Sequence, residues 1–191
     1  RYNSNNDYGW LNNSKYKKHI EFELGDIRDF DSVYKVMKKA KTVFHLAALI
    51  GIPYSYISPL AYIKTNVEGT YNVLESSKIL NFENVVNIST SETYGSAMYT
   101  PMDEEHRLFG QSPYAASKIS ADQLSLSYHN SFNTPIKIVR PFNVYGPRQS
   151  TRAIIPTIIS QLLRNSSKVC LGNLNTSRDY TYVSDACEAF F

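Results

Sequence analysis

Short apolar segments alternate with longer amphipathic segments along the chain. Residues 19–24 alternate between apolar and polar side chains and precede Gly25 and Asp26, a pattern typical of a strand. Nearly continuous apolar residues predict further strands at 42–47, 85–89 and 136–139. Apolar positions at helical spacing predict helices at 31–41, 60–80, 114–132 and 154–163.

Local signals support two of these helices. Asp31 or Ser32 is placed to cap the N-terminus of the first, because a short polar side chain there can accept a hydrogen bond from a free backbone N–H. The second helix has apolar side chains at three- and four-residue steps, at Ile63, Val67, Tyr71 and Leu74. Such a spacing predicts one apolar face.

The alternation of strands with long helices predicts an α/β fold with a doubly wound parallel sheet. The apolar strand at 42–47 fits a sheet that is buried on both faces. Polar residues cluster from residue 165 to residue 177, where the pattern weakens. We therefore predict one domain over residues 1–165 and the start of a second region over residues 166–191.

Composition and charge exclude several protein classes. The 191 residues are 42% hydrophobic and 19% charged, which is typical of a folded core and not of a disordered chain. The net charge of +3 is spread along the chain, so it does not indicate a nucleic-acid partner. Cys170 and Cys187 are too few for a disulfide framework, and no zinc-ligand spacing is present. We expect a cytoplasmic protein without a metal, a nucleic-acid partner or a membrane partner.

The strongest candidate for chemistry is the pair Tyr114 and Lys118. These residues are four apart at the start of a predicted helix, so they share one helical face. An ammonium group there lowers the pKa of a phenol and allows a tyrosinate to act as a base near neutral pH. Alone, this spacing is weak evidence, because the chain has 15 tyrosines.

A dinucleotide-binding fold opens with a Gly-rich turn between its first strand and its first helix. No two glycines of this chain are close enough in sequence to form that turn. Either the fold binds no dinucleotide, or its first strand–turn–helix unit is missing from this chain. The remaining motifs favour the second alternative, so we expect the chain to be a piece of a longer protein.

Six motifs in chain order resemble the extended short-chain dehydrogenase/reductase family, the NAD-dependent epimerases and dehydratases of nucleotide sugars. The motifs lie at predicted strand ends and around Tyr114. They occupy residues 25–29, 43–48, 65–70, 89–95, 140–148 and 178–183, beside the Tyr114–Lys118 segment. The resemblance covers essentially the whole chain and implies a Rossmann-like, NAD(P)-binding domain over residues 1–165. It implies that residues 166–191 begin the nucleotide-sugar-binding region.

The resemblance also assigns site residues, and the cofactor it implies is NAD or NADP, used catalytically and retained. The implied catalytic residues are Thr90, Ser91, Glu92, Tyr114 and Lys118. The implied cofactor-binding residues are Asp26, Ile27, Leu46, Ala47, Ala48, Thr65, Ser89, Tyr114 and Lys118. The implied substrate-binding residues are Thr90, Asn143, Arg148 and Arg178. Arg1 could belong to the region that selects NAD or NADP, or be an ordinary surface arginine.

Some residues of these motifs have a structural interpretation instead. His45 lies in a predicted strand and is better explained as a packed core residue than as a catalyst. Asn66 fits a buried amide that satisfies a loop, and Arg140 fits an anchor for the loop that follows it. Tyr180 and Tyr182 fit strand packing.

The triplet Thr90–Ser91–Glu92 bears on the reaction. In 4,6-dehydratases of this family, Glu at the third place removes the C5 proton after oxidation at C4; water then leaves and hydride returns to C6. Some of these enzymes carry Asp at the middle place, where this chain has Ser91. The triplet is similar as well to that of UDP-glucuronate decarboxylases. A decarboxylase, another epimerase of the family, and a redox-dead dinucleotide-binding module therefore stay as alternatives.

Three stretches look like the N-acetylglucosamine 4,6-dehydratases of legionaminic-type acid pathways. They are residues 1–4, 47–56 and 110–118. This resemblance implies a UDP- or GDP-linked N-acetylglucosamine substrate. The family also implies a homodimer formed through the long helices at 60–80 and 114–132.

Overall fold

The computed structural model describes residues 8–164 and 167–191. Arg1, the motif at residues 1–4 and the predicted domain boundary between residues 165 and 166 lie outside the described residues. Within them, no helix has the length and apolar character needed to cross a membrane. The same ranges contain no group of three or more His, Cys, Asp or Glu side chains arranged to hold a metal ion.

A parallel sheet of three strands forms the centre of the fold. Strands β1 (Thr42–His45), β2 (Asn84–Ile88) and β3 (Ile136–Val139) pair in that order. Val43 lies opposite Val85, and Val85 lies opposite Ile136. The parallel pairing confirms the predicted α/β class, and it brings the carboxyl ends of all three strands to one edge of the sheet.

Helices connect the strands and continue the chain beyond them. The α-helices are α1 (Phe30–Met37), α2 (Ile52–Ile57), α3 (Pro59–Tyr62), α4 (Gly69–Ile79), α5 (Pro113–Phe132), α6 (Ile154–Leu163) and α7 (Val183–Ala189). Short 3₁₀ helices cover Gly9–Asn13, Lys17–His19 and Ser91–Tyr94, and a π-helix covers Ile63–Glu68. A second, two-stranded parallel sheet pairs β4 (Asn143–Tyr145) with β5 (Tyr180–Tyr182).

The core lies between the sheet and its covering helices. A buried cluster joins α1, α4 and β2 through Val33, Met37, Val73, Phe82 and Val85. Burial of each such side chain stabilises the fold by about 1.5–3 kcal/mol.

The covering helices α1, α4 and α5 lie on one face of the sheet. Val85 and Asn87 point to the same side of β2, because alternate strand residues share a face. Val85 belongs to the cluster with α1 and α4, and Asn87 Nδ2 donates to Ser125 Oγ of α5 at 3.1 Å. On the opposite face, Phe44 contacts Phe191 with ring centroids 5.1 Å apart.

The prediction of a strand at 19–24 is wrong. These residues pair with no other strand in the described part of the chain, and a β-strand exists only through hydrogen bonds to a neighbour. Instead, Glu21 and Glu23 form surface ion pairs with Lys39, which follows α1. Alternating apolar residues therefore did not suffice for strand formation here.

Two helices differ from the sequence prediction. The first begins after Asp29, whose side chain accepts from the N–H groups of Asp31 and Ser32, so neither of those two residues is the cap. It ends at Met37, earlier than predicted. The predicted helix at 60–80 is interrupted by the π-helix. Its expected apolar residues do not share one buried face, because Leu74 is buried while Ile63 and Tyr71 are exposed.

Candidate active site

The carboxyl end of β2 carries the triplet Thr90–Ser91–Glu92. Ser89 directly follows β2, and Thr90 caps the 3₁₀ helix Ser91–Tyr94 by accepting a hydrogen bond from the Glu92 N–H at 3.2 Å. Ser91 N donates to the carbonyl of Pro141, just beyond β3, at 3.0 Å. The triplet is thus held at the sheet edge by its own cap and by the neighbouring strand exit.

Helix α5 brings Tyr114 and Lys118 to the same edge. Ser112 caps α5 by accepting from the Ala115 N–H, and Pro113 occupies the first turn, where its missing N–H costs nothing. Tyr114 and Lys118 are 7% and 4% exposed. The Lys118 ammonium donates to the Ile88 carbonyl of β2 at 2.8 Å, so the helix is attached directly to the strand that carries the triplet.

Burial shifts the acidity of both groups. Burial raises the pKa of the Tyr114 phenol, a hydrogen bond with Thr90 opposes that shift, and the charge of Glu92 adds to it. Burial lowers the pKa of the Lys118 ammonium. Thr90 and Glu92 therefore both act on Tyr114, so the structure brings together the triplet and the Tyr–Lys pair.

Two side chains from the α3 and π-helix segment hold the loop after β1 against α5. Asn66 is 1% exposed; its amide pairs with both the N–H and the carbonyl of Leu49, at 2.8 and 3.0 Å. The same amide donates to Ser117 Oγ of α5 at 2.9 Å. Tyr62 donates to the Gly51 carbonyl at 2.5 Å. Asn66 thus provides hydrogen-bond partners for the backbone of this loop, as the sequence indicated.

His45, at the end of β1, is buried next to the Tyr–Lys pair. Its Nε2 lies 3.0 Å from Thr70 Oγ1, and the Thr70 hydroxyl donates to the Asn66 carbonyl. Because that hydroxyl hydrogen is already used, Nε2 carries the imidazole proton and donates. Burial, and then the charge of Lys118, lower the pKa of His45 to about 4. His45 is a neutral, packed residue at neutral pH.

Part of the expected cofactor set lines one groove. This groove, of about 670 Å³, lies between residues 20–27, α1 and β1, and Asp26, Ile27, Leu46 and Ala47 belong to its wall. A hydrogen bond from Arg28 lowers the pKa of Asp26 to about 2, so its carboxylate is charged at neutral pH. Of the remaining set, Ala48 and Thr65 are partly buried, and Ser89 is buried.

The expected substrate-binding residues outside the triplet are exposed and are less closely gathered. Asn143 begins β4, and its N–H donates to the carbonyl of Asp179, the residue after Arg178, at 3.2 Å. Arg148 lies over the ring of Trp10, 5.6 Å from its centroid. Among the residues that the structure describes, no hydrogen bond joins Arg148 or Arg178 to the triplet or to Tyr114.

Sequence reasoning assigned no role to Tyr62 and Asp122. Tyr62 meets the ring of Tyr114, and Asp122 is fully buried on α5. Asp122 lies four residues beyond Lys118 in sequence, so the helical spacing that relates Tyr114 to Lys118 extends to it. That spacing is a signal which could have identified Asp122; no comparable local signal exists for Tyr62.

Comparisons with known proteins identify the family of this chain. The family model described as GDP-mannose 4,6 dehydratase matches residues 1–191. A dTDP-glucose 4,6-dehydratase of Streptomyces antibioticus is 34% identical over 179 residues, which cover 94% of this chain and 53% of the relative. The chain spans about half the length of the curated relatives that it matches.

Solved structures show the same fold. A UDP-N-acetylglucosamine 4-epimerase of Methanobrevibacter ruminantium superposes with a TM-score of 0.81 at 35% identity, covering 87% of this chain and 55% of that one. A double mutant of the dTDP-glucose 4,6-dehydratase of Streptomyces venezuelae, solved with NAD bound, superposes with a TM-score of 0.79 at 30% identity, covering 87% and 52%.

Proposed function

The chain belongs to the GDP-mannose 4,6 dehydratase family, and from that premise we propose that the whole protein is an NAD(P)-dependent nucleotide-sugar 4,6-dehydratase. Its proposed substrate is UDP- or GDP-linked N-acetylglucosamine. The reaction oxidises C4, eliminates water across C5 and C6, and returns hydride to C6.

The observation that carries this proposal is the placement of Glu92 beside Tyr114. The dehydration needs two bases: one for the proton of the 4-hydroxyl and one for the C5 proton. Tyr114, on a buried helix start, serves as the first base, and the nearby ammonium of Lys118 stabilises the tyrosinate. Glu92, whose charge acts on Tyr114, is within the same site and serves as the second. A binding module would have no use for this pair of bases.

The two remaining members of the triplet differ in their proposed roles. The Thr90 hydroxyl lowers the pKa of Tyr114 and also caps the helix that carries Glu92. Ser91 stands where some dehydratases carry an Asp as acid for the leaving hydroxyl. A serine is too weak an acid for that step, so we propose that the C6 oxygen takes its proton from Glu92 or from a water.

The residues fit a nicotinamide cofactor. Asp26, Ile27, Leu46 and Ala47 are proposed to contact the adenosine half. The charge of Lys118 acts on His45 at the end of β1, so Leu46 and Ala47 follow a residue close to the lysine of the Tyr–Lys pair that would hold the nicotinamide ribose. When bound, the cofactor supplies a hydride acceptor at C4 and a hydride donor at C6. Support comes from the Streptomyces venezuelae relative, which was solved with NAD.

One relative supports both the proposed amino-sugar substrate and the second candidate function, which is a 4-epimerase. The Methanobrevibacter ruminantium relative is a 4-epimerase of UDP-N-acetylglucosamine and shares 35% identity with this chain. An epimerase also oxidises C4 but needs no base for C5, so Glu92 is the residue that favours dehydration. A UDP-glucuronate decarboxylase stays as a further alternative because its triplet is similar.

Homodimerisation through the two long helical segments is proposed on the exposure of apolar side chains there. Leu60, Ile63 and Tyr71 of the first segment are 59%, 52% and 43% exposed, and Leu126 of α5 is 40% exposed. Ile63 follows Leu60 by three residues and Tyr71 follows Ile63 by eight, so apolar side chains are exposed at both ends of this segment. Sedimentation of the full-length protein, compared with a Leu60→Glu, Ile63→Glu variant, tests this: the variant is expected to be monomeric.

The product identifies the reaction. The full-length protein is incubated separately with UDP-N-acetylglucosamine, GDP-N-acetylglucosamine, dTDP-glucose and UDP-glucuronate, and the products are weighed by mass spectrometry. Loss of one water from an amino sugar supports the proposal and identifies the nucleotide. Unchanged mass with a new sugar configuration by NMR supports the epimerase, and loss of carbon dioxide supports the decarboxylase; either result overturns the proposal.

A further inference from the structure

A buried ion pair lies behind the Tyr–Lys pair. Arg140, just after β3, donates from Nε to Asp122 Oδ2 at 2.8 Å, and the two side chains are 15% and 0% exposed. Asp122 is on the same helix as Tyr114 and Lys118, one turn beyond the lysine. The ion pair therefore continues the helical face that carries the proposed base.

Arg140 also contacts the segment that carries Glu92. Its Nη1 donates to the Tyr94 hydroxyl at 3.2 Å, and its guanidinium carbon lies 5.2 Å from the centre of the Tyr94 ring. Tyr94 is the last residue of the 3₁₀ helix Ser91–Tyr94. One guanidinium thus joins the β3 exit, helix α5 and the helix with the second proposed base.

Among the charged groups Lys118, Asp122 and Arg140, only the lysine has no direct ion-pair partner. The Lys118 ammonium donates to a backbone carbonyl, and no carboxylate lies within ion-pair distance of it in the part of the chain that the structure describes. Arg140 and Asp122 together are neutral. Lys118, Asp122 and Arg140 therefore sum to one positive charge, which favours an anion at the Tyr114 phenol and opposes the effect of the Glu92 charge.

We propose that Arg140 is a positioning residue of the active site: by neutralising Asp122, it keeps Lys118 as the uncompensated cation beside Tyr114. The inference rests on the proposed function, in which Tyr114 serves as a base. It assigns Arg140 a role in the chemistry beyond anchoring the loop that follows it.

The direction of each interaction supports this role. The Asp122 carboxylate raises the pKa of Tyr114, in addition to the larger effect of burial, and it opposes the lowering of the Lys118 pKa by burial. A free carboxylate at this position would make the tyrosine a poorer acid. Burial raises the pKa of Asp122 itself, and hydrogen bonding to Arg140 opposes that rise. Ser89 Oγ also faces Asp122, although its geometry falls short of a hydrogen bond.

Titratable and charged groups surround the phenol and the ion pair on every packed element. These groups are His45 of β1, Tyr62 of α3, Glu92 and Tyr94 of the 3₁₀ helix, Tyr114, Lys118 and Asp122 of α5, Arg140 after β3, and Glu104 near Arg140.

Charge removal at the two partners is expected to shift Tyr114 in opposite directions. Arg140→Gln leaves Asp122 uncompensated and is expected to raise the pKa of Tyr114 by about one unit. Asp122→Asn leaves two cations and is expected to lower it by about one unit. The double variant is neutral again and is expected to return close to wild type. Arg140→Lys keeps the charge and is expected to stay near wild type as well.

The measurement is made on the full-length protein with 3-fluorotyrosine at position 114. The ¹⁹F shift is followed against pH, which reports the phenol without turnover, and the acidic limb of the product-formation rate is followed in parallel. Opposite shifts with a restored double variant support the proposal. Shifts of the same sign, or no shift in Arg140→Gln, overturn it. If Arg140→Gln does not fold, two results test the proposal instead. The pKa of Tyr114 is expected to fall in Asp122→Asn and to be close to the wild-type value in the double variant; any other result overturns the proposal.

The two readouts separate this inference from the proposed function. If wild type forms no dehydrated product but the ¹⁹F titrations shift in opposite directions, the proposed function fails and the electrostatic role of Arg140 stands. If wild type is an active dehydratase and the titrations do not move, the role of Arg140 fails alone.

Discussion

Tyr62 meets Tyr114 edge to face, with ring centroids 6.2 Å apart and an interplanar angle of 74°. Edge-to-face aromatic contacts contribute about 0.5–1.5 kcal/mol beyond buried area. The Tyr62 hydroxyl is bound to the Gly51 carbonyl, in the loop after β1. One side chain therefore orients the proposed base and holds a loop beside the groove.

Separating the ring of Tyr62 from its hydroxyl tests these two roles. Tyr62→Phe keeps the edge contact and loses one hydrogen bond, so it is expected to lower the free energy of unfolding by about 1 kcal/mol with little change in kcat. Tyr62→Ala loses the ring as well and is expected to cost about 3–5 kcal/mol and to lower kcat. Urea unfolding and product formation measure both. Equal kcat losses in the two variants would show that the ring does not orient Tyr114.

Replacing the proposed C5 base separates the half-reactions. Glu92→Gln keeps the size of the side chain but cannot take a proton, so water loss is expected to fall at least about 100-fold. Reduction of the bound cofactor, followed by its near-ultraviolet absorbance after substrate addition, is expected to persist. The control is Glu83→Gln, at an exposed glutamate paired with Lys41. Loss of cofactor reduction together with water loss would contradict the assigned role of Glu92.

The Asn66 amide is expected to be a major source of local stability. Asn66→Ala removes two hydrogen bonds to Leu49 and one to Ser117, and is expected to lower the free energy of unfolding by about 3 kcal/mol. Asn130, exposed on α5, offers a matched control, since Asn130→Ala is expected to change stability by less than about 0.5 kcal/mol. Urea midpoints compare them. Similar midpoints for the two variants would show that the Asn66 hydrogen bonds contribute little to stability.

His45 is expected to make stability depend on pH. Its pKa is about 4 in the fold and 6.5 in the unfolded chain, so between these values only the unfolded chain takes up the proton. The free energy of unfolding therefore falls as the pH falls from about 6.5 to about 4, by about 3 kcal/mol. His45→Gln is expected to remove this contribution, whereas His19→Gln, at an exposed site, is expected to keep it. Urea unfolding at both ends of this pH range measures the difference; equal slopes in wild type and His45→Gln would contradict the prediction.

Much of the fold followed from local sequence patterns. Strand β3 and helix α6 have the predicted bounds, because each is a compact apolar segment with clear ends. Tyr114 and Lys118 were identified as a pair because helical spacing alone puts them on one face. Where a structure depends on a partner element, the local pattern was insufficient: residues 19–24 have the alternation of a strand but no neighbouring strand among the described residues.

The candidate site likewise has some features that local sequence determines and others that depend on the tertiary structure. The sequence by itself determined the fold class, the motifs at the strand ends and the Tyr–Lys face, since each depends on residues that are near one another along the chain. Only the tertiary structure decided that Arg140 pairs with Asp122 across 18 residues and that Asn66 reaches Ser117 across 51. Strand order and helix docking bring these groups together, and buried polar groups need partners wherever the fold places them.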